Sequence, residues 1–244
     1  ELPKGHIWES GGGRNGKSTF FNTIYGVLGT YAGTIDSNVL TTDRQNRGAA
    51  LATLRGKRLV IAAELEEHQR LSTSTLKKLA STDNLTIEEK YRSPEDIVPS
   101  HTLVLFTNHL PRVGSTDDGT WRRIIVVPFN AVIPEETGVQ NMSDLLVEEA
   151  GPAVLSWIIQ GAVDFTLNGF KLTFPDAVAM ATEEYRSREN WLERFISERC
   201  IREPNARVGA RELYTEYKTW AQDTGEYTRR ENDFAEAMEK AGYQ

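Results

Sequence analysis

Apolar positions in this 244-residue chain follow two rhythms, and the change from one to the other divides it. Before about residue 130 they cluster in short runs: RLVIAA at 58–63, TLVLF at 102–106 and IIVV at 124–127, with GHIWES at 5–10 and residues 31–35 as further short candidates. Such runs, bounded by polar residues, are the pattern of strands covered on both faces in a parallel sheet. Helical stretches fall between them. One covers 17–28 and is closed by Gly29; another runs from a cap at Thr42 or Asp43 to about Leu54 and is broken by Gly56; a third covers 74–80. Residues 83–92 read as a polar region, broken by Pro94.

From 143 to about 167 the apolar period becomes helical, through Leu145, Leu146, Val154, Leu155, Ile158, Ile159 and Val163. Pro152 is expected to kink this stretch or divide it in two, and Trp157 reads as core. Pro175 opens a further helix towards Arg188. Three short helices are expected at 191–200, 210–221 and 231–241, with Leu213, Tyr214, Tyr217 and Trp220 supplying a compact apolar face. The expected class is α/β: a core with a central, mostly parallel sheet over 1–135, a helical extension packing on it over 136–188, and a small helical domain over 189–244.

The chemistry begins where the first strand candidate meets the first helix. GGGRNGKST, from Gly11 through Gly12, Gly13, Arg14, Asn15, Gly16, Lys17 and Ser18 to Thr19, fits the phosphate-loop pattern G-x-x-x-x-G-K-[ST]. Glycines let backbone N–H groups turn around phosphate oxygens without a clashing Cβ. Lys17 would reach the β- and γ-phosphates, the Ser18 hydroxyl would ligate Mg²⁺, and the helix would aim its positive end at the same anion. The alternative is a fortuitous Gly-rich turn.

Composition narrows the setting. A net charge of −7 excludes a uniformly basic nucleic-acid coat while leaving room for a local basic site. The single cysteine, Cys200, excludes an internal disulfide framework and a Cys-based metal site, and suits a reducing compartment. The four histidines show no metal-ligand spacing, and no apolar run reaches membrane-spanning length, so no membrane partner is expected. The chain has no initiating Met and its phosphate loop lies near the start, as in an excised part of a longer protein.

Polar residues at the ends of the apolar runs are the next candidates. Glu64 follows the run 58–63, where a carboxylate lies in the crevice outside the strand ends and can orient a metal shell. Glu66 or Glu67 could polarise an attacking water, or could begin a solvated helix. Asn108 follows the run 102–106 and can bond a terminal phosphate or the water. Arg122 and Arg123 precede the run 124–127. They are either a surface pair or a source of an arginine that completes a neighbouring subunit's site. Arg229 and Arg230 lie just before the last helix, where a recognition helix of a winged-helix module would meet DNA; the alternative is a helical packing or oligomerisation domain.

Together these stretches resemble the superfamily 3 helicases, in particular the phage and plasmid primase–helicase family related to the poxvirus primase-helicase. The similarity rests on GGGRNGKST, LRGKRLVIAAELEE, LKKLASTDNLTIEEKYR, HTLVLFTNHLPRV and TDDGTWRRIIVVPF, in family order, with a weaker match through EEAGPAVLSWIIQGA. It implies a P-loop, AAA+-like ATPase core followed by helices and a C-terminal winged-helix-like domain. It implies ATP and Mg²⁺ as cofactors, Gly16, Lys17 and Ser18 as nucleotide residues, and Ser18 and Glu64 at the metal. Glu64 and Glu66 become the Walker B acids, Asn108 the sensor amide, and one of Arg122 and Arg123 the arginine finger. Lys77, Lys90 and Arg92 fall at the family's pore-facing DNA loop, and Arg229 and Arg230 in its DNA-binding tail. Ser81 and Thr82 stand where many relatives carry a Gly pair, and Glu88 and Glu89 sit beside Lys90. The implied protein is an ATP-driven motor on single-stranded DNA, a homo-oligomer forming a hexameric ring, in the cytoplasm of a bacterial host or phage-infected cell. The family's upstream collar and primase domain are not in this sequence, so no primase activity is expected. A small-molecule kinase and a nucleotide-switched DNA-binding module that hardly turns over are the rival readings of the phosphate loop.

Overall fold

In a computed structural model, which describes residues 6–10, 14–41, 48–62, 69–81, 83–87, 93–107, 109–113, 117–203 and 206–243, the chain separates into two compact units, Glu1–Arg186 and Ser187–Gln244. The first is built on five parallel strands. They are β1 (His6–Ser10), β2 (Ala32–Ile35), β3 (Leu59–Ala62), β6 (Thr102–Phe106) and β7 (Ile124–Pro128), in the order β2-β3-β6-β1-β7. Between β3 and β6 a small antiparallel hairpin is formed by β4 (Leu85–Ile87) and β5 (Glu95–Ile97). The helices of this unit are α1 (Lys17–Leu28), α2 (Gly48–Ala52), α3 (Thr73–Leu79), α4 (Asp118–Trp121), α5 (Met142–Leu167) and α6 (Asp176–Glu189).

Side-chain alternation explains why the sheet strands read as continuous apolar runs. Leu59 and Ile61 of β3 and Val104 of β6 face α1, packing with Phe21 and Ala32. Val60 and Ala62, with Leu103 and Leu105, face the other way, onto Leu51, Leu76, Leu79 and the hairpin residues Leu85 and Ile87. Both faces are covered, so neither can be polar. The first helix ends as expected: Gly29 takes φ +54 at its C-cap, a conformation that L side chains rarely adopt.

Two expectations change in the helical extension. Helix α5 runs through Pro152 from Met142 to Leu167 rather than dividing there. It packs on α1 at a close crossing, where a Cβ on Gly26 would come within 2.7 Å of Val147. Trp157 is not core: it is 59% exposed on α5, with its ring edge-on to the exposed Phe20 at 6.0 Å. Period alone identifies an amphipathic helix, not what covers its apolar face. Among the described residues no helix is long and apolar enough to cross a membrane.

The second unit contains α7 (Trp191–Arg199), α8 (Ala210–Asp223) and α9 (Glu231–Lys240), and no strand among its described residues. Its core is aromatic: Trp191, Phe195, Tyr217, Trp220 and Phe234 are buried together. Tyr217 and Phe234 stack at 4.7 Å, and Phe195 meets Tyr217 edge-on at 5.6 Å. The Trp220 indole N–H donates to Glu198 at 2.7 Å, so the ring is buried without an unpaired donor.

Candidate functional site

All five sheet strands point the same way, so their carboxyl ends form one edge. Strand β1 lies between β6 and β7. The chain leaves β1 towards β2 on one side and later crosses from β6 to β7 on the other. That reversal is where parallel α/β sheets leave a crevice for ligands. The predicted phosphate loop lies in the chain between β1 and α1.

Its described part is shaped for an anion. Arg14 and Gly16 are both left-handed, at φ +60 and +84, and Gly16 is the N-cap of the twelve-residue α1. Alternating conformations of this kind, followed by unpaired N–H groups at a helix start, form a concavity that accepts phosphate oxygens. An added Cβ at Gly16 would meet only Ile133 Cδ1, at 3.5 Å, so the demand for glycine there is conformational rather than one of space. Lys17 begins the helix and is only 4% exposed. Its N–H donates to Asn15 Oδ1 at 3.4 Å. The Asn15 amide donates to the Phe129 carbonyl just past β7, at 3.0 Å. Ile133 N–H donates to the Arg14 carbonyl at 2.8 Å, and Arg14 pairs with Glu135 at 2.9 Å. The chain after β7 therefore braces the loop from outside. Neither Phe129 nor Glu135 has a signal in the sequence. Ser18 is exposed in the first turn of α1, and Thr19 is half-buried. These groups fit a polyphosphate: a left-handed turn, helical N–H groups and an adjacent lysine.

The other predicted residues distribute unevenly. Gly11, Gly12, Gly13, Glu64, Glu66, Asn108, Lys90 and Arg92 lie outside the described residues. The strand that leads to Asn108, β6, lies beside β1, with Glu9 paired to Phe106, and the strand that leads to Glu64, β3, lies one further out, with Ala62 paired to Leu105. Thr107, fully buried at the end of β6, donates its hydroxyl to the His109 carbonyl at 2.8 Å and accepts the His109 N–H at 3.2 Å.

Arg122 and Arg123 stand at the opposite edge. They precede Ile124, which pairs with His6 at the start of β1, whereas Ser10 pairs with Pro128 at its end. Four strand steps at about 3.3 Å each put roughly 13 Å of sheet between the two edges. Their surroundings differ. The Arg123 guanidinium donates to the Gly119 carbonyl, whereas the Arg122 side chain is exposed, with no hydrogen-bond or ion-pair partner among the described residues.

Two predicted DNA contacts have partners within the fold. Lys77 is engaged within the fold, with its ammonium 2.8 Å from Asp117 Oδ1. Arg229 is 8% exposed and belongs to the aromatic core of the second unit. Its guanidinium lies 4.1 Å from the Trp191 ring centroid and donates to the Tyr217 hydroxyl at 3.4 Å and the Tyr227 carbonyl at 3.2 Å. A guanidinium enclosed in this way does not reach a phosphate. Arg230, one residue on, is exposed at the start of α9. Arg229→Ala is therefore expected to act on stability: losing the desolvated cation–π contact and its hydrogen bonds costs roughly 2–4 kcal/mol. A thermal melt followed by tryptophan fluorescence reads this as an early transition. DNA affinity lost at an unchanged melting temperature would restore the contact role.

The sequence profile of a family of unknown function (DUF5906) matches residues 10–123. The chain is 27% identical over 234 residues to "Putative helicase L207/L206" of Acanthamoeba polyphaga mimivirus, covering 86% of this chain and 24% of that protein. It is 26% identical over 230 residues to a "Putative primase" of African swine fever virus, again covering 86% of this chain and 24% of the other. The chain thus spans about a quarter of the length of these curated relatives. Among solved structures, the apo C-terminal region of NrS-1 superposes with a TM-score of 0.47 at 19% identity, over 62% of this chain and 35% of that one. Similarity to proteins named "Putative helicase" and "Putative primase" fits the helicase resemblance of the motifs, although the motifs pointed to phage and plasmid members and these relatives come from large DNA viruses.

Proposed function

We propose that this chain is the motor segment of an ATP-dependent DNA helicase with a P-loop, AAA+-like core. In this reading it hydrolyses ATP between subunits of a homo-oligomeric ring and moves on single-stranded DNA. The observation that carries the reading is the left-handed turn at Gly16 beside the buried Lys17, at the N-terminus of α1 and the carboxyl edge of a parallel sheet. The helicase-like relatives support it.

The chain's own groups would divide the work as follows. Backbone N–H groups at 16–19 and the α1 dipole hold the phosphates, and Lys17 neutralises their charge. Bound Mg²⁺ would supply further charge neutralisation, held by Ser18 and Glu64. Glu64 or Glu66 orients the attacking water, and Asn108 bonds it or the terminal phosphate. The arginine comes from the neighbouring copy, because this chain's own Arg122 stands across the sheet from its own Lys17. Exposure, and a guanidinium with no partner among the described residues, favour Arg122 over Arg123. Contacts to DNA phosphates through Lys90 and Arg92 would be salt-sensitive and tolerant of sequence. A winged-helix role for the second unit rests on its three helices and on Arg230.

The test is ATP hydrolysis with and without single-stranded DNA, alongside mass in solution with ATP. DNA-stimulated hydrolysis by an assembly larger than the monomer is expected. DNA-independent phosphoryl transfer to a metabolite would replace the motor with a kinase; tight ATP binding with negligible turnover would replace it with a nucleotide-switched binding module.

A further inference from the structure

The geometry points to the Lys77–Asp117 ion pair as a latch through which α3 and the hairpin behind it set the position of Arg122; this rests on the motor reading above. Asp117 is a positioning residue in this scheme, acting through the turn that it caps, and Lys77 is its partner rather than a DNA contact.

The Asp117 carboxylate does two things at once. Oδ1 accepts the Thr120 N–H at 3.0 Å and Oδ2 the Thr120 hydroxyl at 2.7 Å, which starts α4. Oδ1 also receives the Lys77 ammonium at 2.8 Å, which joins α4 to the last turn of α3. Helix α4 has four residues, too few to persist by its own hydrogen bonds, so side chains decide where it sits. Besides Asp117 these are Asp118, bonded to Arg186, and Trp121, buried edge-on against Tyr185 at 5.2 Å. Arg122 follows immediately and takes its direction from that turn.

Gly119 gives independent support. A Cβ there would lie 2.8 Å from Asp117 Oδ1 and 3.8 Å from Lys77 Nζ. A side chain at 119 would push the carboxylate away, so the glycine keeps the space in which the pair meets.

On the other side, α3 leads into the hairpin. Ser81 and Asp83 are tied together, with the Ser81 hydroxyl donating to Asp83 at 2.6 Å and accepting the Asp83 N–H at 3.0 Å. The Thr86 hydroxyl donates to Asp96 at 2.7 Å across β4 and β5. A displacement of the hairpin would reach α3 through this link, and α4 through contacts that include the Lys77–Asp117 pair. Lys77 and Asp117 are 41% and 45% exposed, so the pair is weak enough to be broken and remade during a cycle.

Lys77→Met, Asp117→Asn and the double variant separate the latch from a DNA contact. Asn keeps the cap and drops the charge. Each single variant should lower the ratio of DNA-stimulated to basal hydrolysis about two- to fivefold, and the double variant no further. Lys77→Arg should retain the ratio. Binding of a fluorescent oligothymidylate, and its salt slope, should be the same in all of them. Weaker binding with a salt slope reduced by about one in Lys77→Met alone would make Lys77 a phosphate contact and overturn the latch. Additive losses in the double variant would overturn it too. If the unaltered protein shows no DNA stimulation, the motor reading fails, and amide exchange over residues 118–123 decides the latch separately. Exchange about two- to fivefold faster in both single variants, and no faster in the double, supports it; unchanged exchange in Lys77→Met sinks it.

Discussion

Arg122→Ala should lower DNA-stimulated ATP hydrolysis by about 10³-fold or more, the range an arginine finger contributes in nucleotide hydrolases. It should leave nucleotide binding by the same chain nearly intact. The split follows from geometry: Arg122 stands at the amino-terminal edge of β7, with roughly 13 Å of sheet between it and the carboxyl edge where the phosphate loop begins. Its guanidinium is exposed and its removal breaks no internal bond among the described residues. Arg123→Ala should behave differently, because Arg123 is tied to the Gly119 carbonyl and supports the turn. Steady-state rates with single-stranded DNA, together with binding of a fluorescent ATP analogue, test the split. Loss of binding equal to the loss of rate would put Arg122 in its own chain's site and end the shared-site reading.

Lys17→Ala should give the second large effect, about 10²–10³-fold in turnover, the loss associated with removing one preorganised charge-stabilising group. Here nucleotide affinity should fall as well. Lys17 is buried, so a melting curve must accompany the rate; Lys17→Met, which keeps most of the stem, guards against a packing artefact. Mixing Lys17→Ala with Arg122→Ala protein joins the two predictions. Each dead chain carries the half that the other lacks, so mixed assemblies should regain hydrolysis. If no proportion restores activity, the two residues do not meet across an interface.

How much of this could be read from residues alone varies with how local the cause is. Strands β3 and β6 were legible because both of their faces are buried, which forces their central positions to be apolar. Helix α1 was legible at both ends, through Gly16 and Gly29. The hairpin was not: β4 and β5 are three residues each, with Leu85, Ile87 and Ile97 as their apolar content, so no period could emerge. Helix α4 stayed hidden because four residues carry no helical signal and its stability comes from Asp117, Arg186 and Tyr185. Arg229 misled for a different reason. A basic pair before a helix looks like a DNA contact, but Trp191 and Tyr217, which enclose the first of the pair, are remote in sequence. Trp157 misled in the opposite direction, since a helical stripe predicts burial without naming the neighbour that provides it. In the site itself, the type of chemistry came from a nine-residue string, whereas the braces from Phe129, Ile133 and Glu135 arise only from the way β7 lies beside β1.

One consequence of the sheet's uniform direction concerns symmetry. If one copy's Arg122 completes another copy's phosphate site, each junction joins unlike surfaces, an amino-terminal edge to a carboxyl-terminal one. A twofold pair can satisfy both sites only with its two sheets antiparallel, each Arg122 reaching the other copy's loop. Where the junction is not twofold, assembly propagates with a constant rotation per added copy, and that angle decides whether the chain of copies bites its tail or winds on as a filament.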